Sequence, residues 1–365
     1  MEVKKETNDI KNISKMNFEN RRRGSNVIIP KNLNHKLLNL PFQNSKPKTP
    51  NKERSPNLSK SPIKKCDDHS PMNSKVKHHH HNGIISSKDI SDGEYKKFTS
   101  THADLFKEFS VCQFQNKNNR DYMEYRFCIL VSFPHNEQNK SIFAIFDGHG
   151  GYQISNYLMN NFFSIFIKIS EKCNNTNYEK ILEKTFSHCD DEIKKIQGSQ
   201  KMGSTATILL IVKEMDQILG KQKVIYCANL GDSNCQLMNH NGYKKITYEH
   251  RCSDEMEEKR IKKGNGSIIN GRVGGNISVT RSFGDYNMRD CGLISQPYIN
   301  KVVFNDNEKN FLVLATDGVW DFLNEEELFF SSINKDNSLD ICKNIMEKAK
   351  NNGSTDNMTC IVIKL

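Results

Sequence analysis

Asp147-Gly148-His149-Gly150-Gly151 follows directly on the apolar run Ile142-Phe143-Ala144-Ile145-Phe146. A carboxylate, an imidazole and a glycine hinge thus stand at the mouth of a buried strand. The arrangement recurs: Phe311–Ala315 runs into Thr316-Asp317-Gly318, and Asp356-Asn357 stands just before Met358–Ile363. One strand-end aspartate is an ordinary turn residue. Three in one chain, one of them beside a histidine, point to a site for a hard, oxygen-binding cation. Glu124, at another strand edge, supplies a fourth carboxylate. Gathered together these groups repel one another, and divalent cations remove that penalty. With no cysteine and one histidine in the set, Mg2+ or Mn2+ is favoured over Zn2+.

A carboxylate that bridges two cations holds them about 3.5–4 Å apart, the spacing of two-metal hydrolases. Asp147 is the best bridge, because the glycines beside it let a backbone carbonyl approach a cation as well. Such a pair readies a water for in-line attack on a phosphate ester. His149 lies within reach of a leaving-group oxygen and suits a general acid. Arg120, four residues before Glu124, suits a bidentate clamp on phosphate oxygens. There is no Cys-x5-Arg signature of a cysteine phosphatase. Taken singly, each group has a plainer reading. Asp317-Gly318 reads as a turn, Arg120 as a solvated loop residue, and Asp232 in Gly231-Asp232-Ser233 as a hairpin turn. Their joint occurrence in one order carries the reading.

The elements that must position these groups alternate irregularly. Period-two apolar patterns predict strands at Phe109–Phe114, Tyr125–Phe133, Ser141–Phe146, Thr205–Lys213, Lys223–Leu230, Asn234–Met238, Asn276–Thr280, Asn310–Thr316 and Met358–Leu365. Helical spacing predicts Tyr152–Ile169, Tyr178–Gln197, Ser253–Lys263, Glu325–Phe330 and Leu339–Lys350. Ser338 is the expected N-cap of the last helix, with Asp340 adding favourable charge in its first turn. Strands that do not alternate strictly with helices argue against a doubly wound parallel sheet. The expected class is α+β, with antiparallel sheets carrying helices on their outer faces.

Charge divides the 365 residues unevenly. Of 53 Lys+Arg and 43 Asp+Glu, residues 1–90 hold 19 and 8, leaving 34 and 35 for the remainder. The extension, residues 1–91, is Lys-, Asn- and Ser-rich and is expected to be disordered, because it cannot bury enough apolar area to offset its ordering entropy. Its positive charge suits acidic partners. Thr49-Pro50, Ser55-Pro56, Ser61-Pro62 and Ser70-Pro71 are candidate phosphorylation sites, and His78–His81 is a low-complexity run or a metal tag. A near-neutral body disfavours a nuclease, and no nucleic acid is required. Eleven scattered cysteines without a Cys-x-x-Cys pair, and no secretory signal, suggest reduced thiols in the cytoplasm or nucleus. No apolar stretch reaches the roughly 20 residues of a membrane span. The folded body is expected from residue 92 to 365, as a monomer, and removal of residues 1–90 is expected to spare turnover.

Seven stretches, taken in order, resemble the metal-dependent serine/threonine protein phosphatases of the type-2C (PPM) family. They are Arg120–Glu124, Phe146–Gly151, Gly203–Ala206, Ala228–Ser233, Ser278–Asp285, Leu314–Asp321 and Asp356–Met358. The resemblance covers the body and leaves the extension out. It implies a four-layer α-β-β-α sandwich, phosphorylated proteins as substrates, and two Mg2+ or Mn2+ ions with a weaker third. By carry-over, Asp147 bridges the metals, Gly148 lends its carbonyl, Asp317 and Asp356 hold one metal, and Glu124 serves the other. Asp232, with Asp317, is similar to the pair that holds the third. Arg120 matches the phosphate clamp and His149 the general acid, while Asp285 and Asp321 are expected to support the fold or the surroundings of the site rather than bind metal directly. Three positions depart from the family pattern: Tyr125 where Asp is usual, Asn234 where Arg is common, and Glu249 before His250 where Asp is usual. A phenol at position 125 raises the alternative of a phosphatase-like binding protein with impaired turnover.

Overall fold

The computed structural model describes residues 83–100, 105–131, 140–173, 177–216, 220–304 and 309–365. All of them fall in one compact unit. The Ser/Thr-Pro pairs and His78–His81 lie outside the described residues.

Two six-stranded antiparallel sheets form the centre. The first runs in the order β1 (Ile84–Ser86), β4 (Arg126–Leu130), β5 (Lys140–Phe146), β8 (Ala206–Asp216), β9 (Gly220–Leu230) and β15 (Tyr298–Phe304). The second runs β11 (Gly242–Lys245), β10 (Asn234–Asn239), β16 (Phe311–Ala315), β17 (Met358–Lys364), β3 (Glu108–Phe114) and β2 (Tyr95–Thr99). A small three-stranded sheet, β14 (Phe283–Gly284), β7 (Gly203–Ser204) and β6 (Gly148–His149), lies beside them in sequence terms at the mouth of β5. A two-stranded piece joins β12 (Ile268–Ile269) to β13 (Arg272–Val273).

Alternation along each central strand decides which layer a side chain enters. In β5, Phe143 and Ile145 face the opposite sheet, packing with Phe127 and Leu209 of their own sheet and with Leu314 and Ile361 of the other. Ile142, Ala144 and Phe146 point the other way, onto helices α1 (Gln153–Lys172) and α2 (Tyr178–Ile193). In β16, Val313 and Ala315 instead meet α5 (Glu325–Ser332) and α6 (Ser338–Asn351), reached through the one-turn helix α4 (Asp317–Trp320). Strands buried on both faces read as near-continuous apolar runs, the pattern visible at Ile142–Phe146 and Phe311–Ala315. The outcome is the expected four-layer α-β-β-α sandwich, with α3 (Glu255–Lys263) and its neighbours forming a separate small core around Ile261 and Leu293.

Several boundaries differ from expectation. Asn276–Thr280 is not a strand: it makes only single bridges, Ile277 to Val273 and Val279 to Arg251. Gly274 and Gly275, at φ 57° and 76°, turn the chain just before it, so no partner runs alongside. Helix α6 is capped by Asn337, whose Oδ1 accepts from the Asp340 N–H at 2.9 Å. Ser338 is instead the first helical residue, and its hydroxyl pairs with Ser110 at 2.8 Å. The folded region also begins before residue 92. Strand β1 pairs with β4, Ile85 and Ile90 are buried, and Ser86 caps a short turn in a reciprocal box with Asp89. The extension as read from composition therefore ends too late, because a three-residue edge strand is too short to alter composition. Strands β2, β11 and β15 and the single turn α4 were not expected.

Candidate active site

Every expected site residue lies in one cleft at the ends of the two sheets. Arg120, Glu124, Asp147, Gly148, His149, Asp232, Asp317 and Asp356 all line it. Strand geometry places the acids: Asp147 follows β5, Asp317 follows β16, Asp356 precedes β17, and Asp232 sits in the turn between β9 and β10. The Asp147 carbonyl accepts from the Thr205 N–H at 2.8 Å, which ties the end of β5 to β8. Gly148 admits no side chain: a Cβ there would stand 2.6 Å from the Glu124 carbonyl oxygen.

The tightest group differs from the one that strand ends alone suggest. Asp147, Asp232 and Asp317 each bring one carboxylate oxygen within 4.8 Å of the others. Asp232, an ordinary hairpin residue by its local sequence, thus belongs to the centre. Glu124 and Asp356 line the same cleft but are engaged elsewhere. Glu124 Oε1 accepts from the Gly151 N–H at 2.7 Å, and Asp356 Oδ2 pairs with Arg120. Asn357 knits these pieces together, its Oδ1 accepting from the Glu124 N–H at 2.8 Å and its amide donating to the Gln115 carbonyl at 2.6 Å.

The electrostatics favour a cation. Burial first, and then the neighbouring Asp317 and Asp232, push the Asp147 carboxyl far above the usual carboxylate range. Burial and Asp317 raise Asp232 and Asp356 in the same way. Asp147 is 5% exposed, and its Oδ2 is buried with no hydrogen-bond partner among the described residues. An orphaned buried carboxylate oxygen among two other acids is the donor set that a hard divalent cation satisfies. The residues present therefore fit Mg2+ or Mn2+.

His149 is paired with a buried acid. Its Nε2 lies 2.7 Å from Asp285 Oδ2, and the Ser282 hydroxyl donates to that same oxygen at 2.6 Å. Burial works against the imidazolium, but Asp285 outweighs it and the His149 pKa is raised. Asp285 adopts a left-handed backbone at φ 49° to reach this position, local strain of the kind found at functional sites. Tyr125 is 3% exposed, and its hydroxyl donates to Asp317 Oδ1 at 2.8 Å. The phenol thus sits buried among the acids, hydrogen-bonded to one of them. Arg272, Asn276 and Ser278 also line the cleft, and none of them was among the expected site residues. Their segment is glycine-flanked and reads locally as a turn and a strand.

A cation site facing both a guanidinium suited to phosphate and a proton-holding imidazole is the equipment of a metal-dependent phosphate-ester hydrolase. Residues 108–358 match the family described as Protein phosphatase 2C, and the chain belongs to that family. It is a metal-dependent serine/threonine protein phosphatase. It is 29% identical over 276 residues to Protein phosphatase 2C homolog 1 of Saccharomyces cerevisiae, covering 73% of this chain and 96% of the relative. It is 32% identical over 255 residues to the mouse integrin-linked kinase-associated serine/threonine phosphatase 2C, covering 62% of each. The chain thus spans less than two thirds of the mouse relative's length. Among solved structures, a C. elegans sex determining protein superposes with a TM-score of 0.60 at 26% identity, over 70% of this chain and 64% of that one. The impaired-binding alternative is not favoured, since the acids, Arg120 and His149 all line the cleft.

Proposed function

We propose that this phosphatase hydrolyses phosphoserine and phosphothreonine in proteins by direct attack of solvent, with no covalent enzyme intermediate. Bound divalent cations, Mg2+ or Mn2+, supply the activation of that solvent and neutralise phosphate charge. Asp147 and the Gly148 carbonyl would hold two of them. Asp317 and Asp356 would serve one, Glu124 the other, and Asp232 with Asp317 a weaker third. Arg120 turns its guanidinium to the phosphate oxygens and His149 hands a proton to the departing alkoxide. Asp285 keeps that proton on His149 until the bond breaks. The protein acts as a monomer in the cytoplasm or nucleus, and the basic extension draws it to acidic partners.

The orphaned Asp147 Oδ2 carries this reading. Hydrolysis of p-nitrophenyl phosphate should require added Mn2+ and stop with EDTA, and Asp147→Asn should fall to the metal-free level. Activity that survives chelation, or an Asp147→Asn variant as fast as the parent, overturns it.

A further inference from the structure

Three carboxylates converge on one guanidinium at the rim of the acidic centre. Arg251 Nη2 lies 3.0 Å from Asp232 Oδ2 and 2.6 Å from Asp321 Oδ1, and its Nε lies 3.0 Å from Glu249 Oε1. Asp232 is also one of the three acids of the tight central group. We propose that Arg251 is an internal competitor for the weak third cation: it occupies the Asp232 carboxylate and lowers that site's affinity for a divalent ion. This rests on the cation reading given above.

The backbone aims Arg251 rather than leaving it to wander. Its neighbour His250 is fully buried, and the His250 N–H donates to the Gly231 carbonyl at 3.0 Å, beside Asp232 itself. The His250 carbonyl accepts from the Thr280 N–H at 2.9 Å, and Arg251 bridges Val279. On the acidic side, Asp321 is fixed one turn after Asp317, its N–H donating to the Asp317 carbonyl at 2.9 Å. Both ends of the fork are therefore set by main-chain bonds. A guanidinium keeps its charge at any working pH. A divalent ion arriving at Asp232 must either displace this charge or bind beside it, and both weaken binding. Asp321, expected to support the fold, is thus one arm of the clasp, and Glu249, a departure from the family pattern, is the other.

Mn2+ titration of the full chain, followed by calorimetry and by electron paramagnetic resonance of free Mn2+, tests the proposal. The parent should show two tighter sites and one weaker. Removing a unit positive charge beside a divalent ion should tighten the weak site about tenfold or more in Arg251→Gln, leaving the two tighter sites as they were. Arg251→Lys, which keeps a charge but loses the planar fork, should fall between and serves if the glutamine variant does not fold. A weak site of unchanged or lower affinity in the folded variant overturns the role of Arg251 while the two-cation reading stands. A parent that binds no Mn2+ overturns both.

Discussion

Tyr125 shows what one side chain changes. Its phenol is pushed well up by burial first, and then by Asp147, Asp317 and Asp356 around it, so it remains a donor at any working pH. It therefore holds Asp317 through a charge-assisted hydrogen bond. Tyr125→Phe leaves Asp317 Oδ1 without that partner. In EDTA the variant should lose about 1–3 kcal/mol of stability, the cost of leaving a buried acceptor unpaired. With saturating Mn2+ the loss should shrink, because a cation supplies the missing partner. Urea unfolding in the two conditions measures both, and equal losses would show that Tyr125 does not act on the cation site. At this scale the sequence was informative where local grammar and chemistry coincide. Asp147 and Asp317 stand between an apolar run and a glycine, so their position at a strand mouth is written locally. Asp232 has the same Gly-Asp-Ser context as any hairpin, and only convergence with Asp147 makes it central. Arg251 carries no local mark, since Asp232 and Asp321 come from distant segments.

Short elements hold His149 and Asp285 together. In the small sheet His149 stands opposite Gly203 in the register of β6 and β7, and Gly284 opposite Gly203 in that of β14 and β7. A Cβ on Gly203 would collide with both Asp285 Oδ2 and His149 Nε2. Gly203→Ala should therefore part His149 from Asp285 at a stability cost of about 1–3 kcal/mol, as for other overpacked sites. Proton donation matters more for a poor leaving group. The variant should lose more activity on a phosphoserine peptide than on p-nitrophenyl phosphate, and equal losses would remove His149 as general acid. His250 gives this region a pH dependence. Burial first, and then Arg281, pull its pKa down to about 3, against about 6.5 for a free histidine. Between those values the unfolded chain binds a proton that the folded one refuses, so stability falls as pH drops from about 6.5 towards 3. His250→Asn should flatten this acid slope relative to the parent, read as urea midpoints from pH 7 to 4. Long apolar strands and helices such as Gln153–Lys172 were legible because burial imposes a period. Two-residue strands such as Gly203–Ser204 were not, because their pairing depends on what the sandwich brings alongside.

For the whole molecule, charge and folding divide at different places. Composition changes near residue 91, but the sandwich extends back to Ile84. Ile85 pairs with Ile129 at the edge of the first sheet and packs in the core between the sheets, and Ile90 joins it there. Full burial of such a side chain contributes about 1.5–3 kcal/mol. Two truncations therefore separate what composition runs together. Removal of residues 1–82 should leave the melting temperature and the hydrolysis of p-nitrophenyl phosphate unchanged. It should also weaken binding to a polyanionic resin, with the parent's retention falling as salt screens its charge. Removal of residues 1–90, the cut that composition suggests, should lower the melting temperature, because it strips β1 from β4 and opens the core at Ile85. If the longer cut melts with the shorter one, β1 contributes nothing to the fold. If the shorter cut slows turnover on the small ester, the extension takes part in catalysis, contrary to a division of labour in which the near-neutral sandwich does the chemistry and the basic segment only selects where it is done.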